Sequence, residues 1–124
     1  RDIENNELVV CRRDDNTKNT MKIQESANSL MKLLDEIQTN LFNQAQDFMQ
    51  NHTSHVSTWE EFKNNISNGF VICGWDGLEK TEQKIKEETK ATIRCLPFNQ
   101  DIENLKCIYS DNDAKYLAVF SKAY

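Results

Sequence analysis

Between Gln24 and Asn51, Leu30, Leu34, Ile37, Leu41, Ala45 and Phe48 recur at spacings of three and four. That is the period of an amphipathic α-helix. No other feature constrains the chain as strongly, because a helix of about seven turns needs other elements to cover its apolar side. Leu33, Phe42 and Met49 widen the stripe, which predicts packing on two neighbours rather than one. Asn51 is a tolerable stop.

Shorter elements flank this helix. "ELVVCRRDD" reads as a strand closed by a polar turn at Asp14 to Asn19, with "TMKI" as its partner. After the helix, Ser57 and Thr58 each precede a glutamate by three residues, the capping-box spacing, and Gly69 stops the second helix. "FVICGW" is a buried strand, and Asp76-Gly77 turns the chain. "LEKTEQKIKEETK" is a helix with Leu78, Thr81, Ile85 and Thr89 inward, and "ATIRCLP" is the next strand. Such a strand-helix-strand unit is expected to be parallel and right-handed. "LKCIY" and "AKYLAVFSKAY" flank the polar turn Ser110 to Asp113 and predict a C-terminal hairpin. The expected fold class is α+β: a long helix followed by a small mixed-sheet domain.

Composition narrows the function. The net charge of −5 argues against a free-standing nucleic-acid binder, and DNA is not an expected partner. No apolar run approaches the roughly 18 residues of a membrane span. The abrupt start at Arg1 suggests a piece of something longer. Four isolated cysteines, Cys11, Cys73, Cys95 and Cys107, form no C-x-x-C pair and read as reduced thiols in a cytoplasmic protein. Cys73 and Cys95 lie in apolar runs, where a free thiol behaves as a small buried hydrophobe.

Candidate chemistry is sparse. His52 and His55 form H-x-x-H at a helix end, far short of four convergent zinc ligands. Neither is tied by motif to a serine or cysteine nucleophile. The basic groupings are Arg12-Arg13 and the set Lys84, Lys86, Lys90 and Arg94. Solvated surface is the ordinary reading of both, and phosphate contact is the functional one. Physical reasoning alone stops at an α+β domain of undefined function.

"WDGLEKTEQKIKEETKATIRCLPF", with "ELVVCRRDD", "TWEEFKNNISNGF" and the terminal "SKAY", carries the reading further. Together they resemble the C-terminal end of prolyl-tRNA synthetases of the archaeal and eukaryotic type, which some bacteria also have. The resemblance runs almost continuously from Arg1 to Tyr124. It implies three parts: residues 1–23 as the tail of the anticodon-binding domain, 24–55 as a connecting helix, and 56–124 as the family's C-terminal domain. The class II catalytic domain would lie upstream of Arg1. The implied parent is cytoplasmic and homodimeric, and joins proline to its tRNA using ATP and magnesium. The fragment itself would be architectural and non-catalytic. A rival reading is a free-standing interaction module that docks through the long helix.

The resemblance also implies specific residues. Arg12, Arg13, Lys90 and Arg94 are the candidates for tRNA contact. The carboxylate of Tyr124 would point back toward the parent's catalytic site. In many relatives four cysteines hold zinc, and those positions fall here on Asp76, Thr81, Cys107 and Ser110. One thiolate with a carboxylate and two hydroxyls does not match a closed four-thiolate site. A zinc-less branch of the family is therefore implied, with zinc not expected.

Overall fold

A computed structural model describes residues 4–123. Its contacts separate two compact units, 1–48 and 49–124.

The first unit opens with an antiparallel hairpin of β1 (Glu7–Cys11) and β2 (Lys18–Lys22), in a register that sets Glu7 opposite Lys22 and Cys11 opposite Lys18. Arg12 N–H donates to Thr17 O at 2.8 Å, and Asp15 accepts from both the N–H and the hydroxyl of Thr17. Asn16 takes the left-handed φ of 61° that such a turn needs and that asparagine tolerates. A 3-10 turn at Ile23–Glu25 leads into α1 (Ser26–Asn51), whose last three residues belong to the second unit.

The bounds of α1 follow the apolar period, but its surroundings differ from expectation. None of its residues is buried. Leu33 and Ile37 are half-buried, whereas Leu34, Leu41, Phe42 and Phe48 are exposed. The stripe expected to pack on two neighbours is therefore open. A two-stranded hairpin is too small to cover a stripe of this length.

In the second unit, four strands form one sheet in the order β3-β4-β6-β5. These are β3 (Thr53–His55), β4 (Phe70–Trp75), β5 (Ala91–Cys95) and β6 (Tyr116–Lys122). β3 runs parallel to β4, while β6 is antiparallel to both β4 and β5. The strands that flank the third helix are thus parallel, as the sequence suggests, yet they are not neighbours. The last strand inserts between them. The hairpin arm "LKCIY" is not a strand. It makes one bridge, Lys106 with Asp113, and Ala114 N–H donates to Leu105 O at 2.9 Å. Gly74 explains the close approach of this arm, because a Cβ there would collide with Lys106 O.

Val71 and Cys73 of β4, Ala118 and Phe120 of β6, and Ala91 of β5 are buried together. α2 (Trp59–Asn65) adds Phe62, and its C-cap Ile66 joins the same core. Trp59 stacks on Phe62 at 5.0 Å, and Phe62 meets Phe120 edge-on at 5.4 Å. The capping box forms as read: Thr58 accepts from Glu61 N–H, and Glu61 accepts from Thr58 N–H.

α3 (Glu79–Thr89) buries Thr81, Ile85 and Thr89. Leu78 is its N-cap and is half exposed, not inward as its spacing suggested. Cys95 is exposed, against its reading as a buried hydrophobe. A register shift between Ile93 and Cys95 takes the end of β5 out of regular alternation. Where β5 ends, Gln100 takes over the pairing. Its side chain accepts from Leu117 N–H at 2.6 Å and donates to Leu117 O at 3.2 Å.

Candidate functional site

The sequence makes Asp76 the first residue after β4, and Gly77 lets the chain turn at a left-handed φ of 77°. That turn drops the Asp76 side chain into the domain, where only 5% of the residue is exposed. Oδ1 accepts from Leu78 N–H at 3.1 Å. Oδ2 accepts from the Thr81 hydroxyl at 2.8 Å and the Ser110 hydroxyl at 2.7 Å.

Ser110 reaches Asp76 because its loop is tightly wound. Cys107 N–H donates to Asn112 O at 2.7 Å, Asp111 N–H donates to Cys107 O at 3.2 Å, and Asp111 adopts a φ of 59°. Burial pushes the Asp76 carboxyl up, but hydrogen bonds from Ser110, Leu78 N–H, Thr81 and the Asn112 side chain outweigh it and hold the group below its ordinary range. Cys107 and Cys73 are both buried. Burial, with the nearby Cys107, pushes the Cys73 thiol far up, so it stays protonated and unreactive.

Comparison with known proteins assigns this region. The family model described as prolyl-tRNA synthetase, C-terminal, matches residues 59–124. The chain belongs to that family.

Proline–tRNA ligase from Prosthecochloris aestuarii is 43% identical over 132 residues, covering 100% of this chain and 27% of that protein. The corresponding ligase from Porphyromonas gingivalis is 42% identical over 125 residues, covering 100% of this chain and 25% of that protein. A crystal structure of prolyl-tRNA synthetase from Cryptosporidium parvum, complexed with halofuginone and AMPPNP, superposes with a TM-score of 0.92 at 29% identity. That superposition covers 99% of this chain and 27% of the other. The chain therefore spans about a quarter of the length of the relatives it matches.

Within this synthetase domain, the structure brings Asp76, Thr81 and Ser110 into direct contact, with Cys107 buried in the same turn. Their chemistry does not fit zinc. Neutral hydroxyls are poor zinc ligands, and both are committed as donors to the carboxylate. Among the described residues, no group of three His, Cys, Asp or Glu side chains is arranged to hold a metal ion. His52 follows α1 and His55 lies in β3.

The basic candidates are split between the units. Arg12 is engaged internally: Nε donates to Asp14 Oδ1 at 3.0 Å, and Nη2 donates to Oδ2 at 2.7 Å. Nη1 reaches Glu36 at 3.4 Å. The Asp14 side chain is fully covered, and the Arg12 hydrogen bond holds its carboxyl well below the usual range. Arg13 beside it is exposed. Lys90 caps α3 at a φ of 64° and is exposed, while Arg94 donates to Ser121 O at 3.2 Å. Tyr124 lies outside the described residues.

Sequence reasoning missed Asn40, which donates to Asp14 at 2.7 Å, and Asn112. Neither has a local signal. Each is one asparagine among many, and its role depends on a residue distant in the chain or on loop winding.

Proposed function

We propose that this chain is the C-terminal quarter of a proline–tRNA ligase of the archaeal and eukaryotic type, in a branch that does without zinc. The observation that supports a proline–tRNA ligase is 42–43% identity with two proteins of that name over the whole chain, and the branch rests on the residues at Asp76, Thr81, Cys107 and Ser110. The parent, a cytoplasmic homodimer, activates proline with ATP and magnesium and transfers it to its tRNA. Residues 1–23 end the anticodon-binding domain, 24–55 connect, and 56–124 form the C-terminal domain. This last part is architectural and holds no catalytic group.

Arg13, Lys90 and Arg94, exposed cations near element ends, contact tRNA phosphates. Arg12 contributes chiefly by holding the hairpin turn, given its carboxylate partners.

The test is charging of proline tRNA by the full-length enzyme that carries these residues. Normal charging is expected. An enzyme that charges no proline overturns the reading.

A further inference from the structure

The four zinc positions implied by the family resemblance fall, in this fold, on the β4–α3 turn, the first turn of α3 and the C-terminal loop. Here the same positions hold Asp76, Thr81, Cys107 and Ser110. We propose that the Asp76 carboxylate is a metal-free cross-link that closes the C-terminal loop onto the start of α3.

The geometry supports a hub rather than a vestige. One buried carboxylate joins three segments: the β4–α3 junction through Leu78 N–H, the first turn of α3 through Thr81, and the C-terminal loop through Ser110. A carboxylate 5% exposed is costly unless its oxygens are satisfied. Both oxygens accept, and Oδ2 accepts twice. These partners are neutral, so hydrogen bonds rather than a counter-charge hold the charge in place. A zinc ion at this point would have to compete with donors that already use the carboxylate.

The ionisable groups nearest Asp76 along the elements around it are Cys73 on β4, Glu79, Lys80 and Glu82 in the first turn of α3, Lys106, Cys107, Tyr109, Asp111, Asp113 and Lys115 in the loop, and Tyr116 on β6. Lys106 and Asp113 pair with each other at 2.6 Å, on the exposed side. Asp76 has its carboxyl lowered from 3.8, so its contribution is present above that value. It is lost as pH falls through the lower folded value.

The experiment is thermal unfolding of the 124-residue chain with zinc chloride, with EDTA and with neither. Equal midpoints and no stoichiometric zinc are expected. At pH 7, Asp76→Asn should unfold roughly 10 °C lower, and that deficit should shrink toward pH 3. If that variant fails to fold, Thr81→Val, Ser110→Ala and their combination carry the test. Each single change should lower the midpoint by roughly 5 °C, with non-additive loss in the pair because both donors share Oδ2. Stoichiometric zinc whose removal lowers the midpoint overturns the proposal. So do Asp76→Asn at the parental midpoint and a strictly additive pair. None of these readouts depends on tRNA charging, so failure here is separate from failure of the synthetase reading.

Discussion

The two units hold themselves together by different physics. In residues 49–124, Phe62, Phe120, Ile85 and Val71 are fully buried, and the rings of Trp59, Phe62, Tyr109 and Phe120 meet edge-on or stacked within 5.4 Å. Among the described residues of 1–48, none is buried. There a polar tie joins the hairpin turn to α1, with Asp14 held by Arg12 from its own turn and by Asn40 from the helix. Apolar burial is additive and tolerant of small shifts, whereas a buried carboxylate is either fully partnered or costly. The second unit can therefore stand on many contacts, and the first depends on a few.

The most severe way to break this contrast is Phe120→Ala. The side chain fills the centre of the second unit, so the loss should be about 3–5 kcal/mol in denaturant unfolding. Hydrogen exchange at the β1 and β2 amides should be unchanged. A loss below about 1 kcal/mol would mean that the core is not what holds that unit.

Asn40→Ala sharpens the other side. It removes a 2.7 Å bond to a covered carboxylate, and alanine's better helix propensity offsets part of the loss. A net cost of about 1 kcal/mol is expected, read as faster exchange in β1 and β2 with no change in β4 or β6. Equal effects in both units would erase the distinction.

The smallest effect should come from Leu34→Gln and Leu41→Gln. These residues are 60% and 48% exposed, so each change should move the unfolding midpoint by no more than about 0.5 kcal/mol equivalent. A large loss would show that the stripe of α1 is covered in solution.

Much of the architecture was legible because its signals are local. The period from Leu30 to Phe48 sets α1, the Thr58–Glu61 spacing sets the start of α2, and Asp76-Gly77 sets a turn. Each depends on residues within a few positions of one another. The resemblance carried by "KIKEETKATIRC" likewise needed only the order of residues, and the family match over 59–124 agrees with it.

Other features were beyond that reach. Alternation in "KYLAVFSKAY" marks β6 as a strand, but strand order in a sheet is set by which edges meet in space, and β6 lies between β4 and β5. Cys95 looked buried until the register shift in β5 exposed it. Most telling is the meeting of Asp76 with Ser110, 34 positions away. The sequence determined that these residues could not make a four-thiolate site, because ligand chemistry is a property of residue type. Only the tertiary structure decided what they make instead, because a hydrogen bond depends on where the chain brings donor and acceptor.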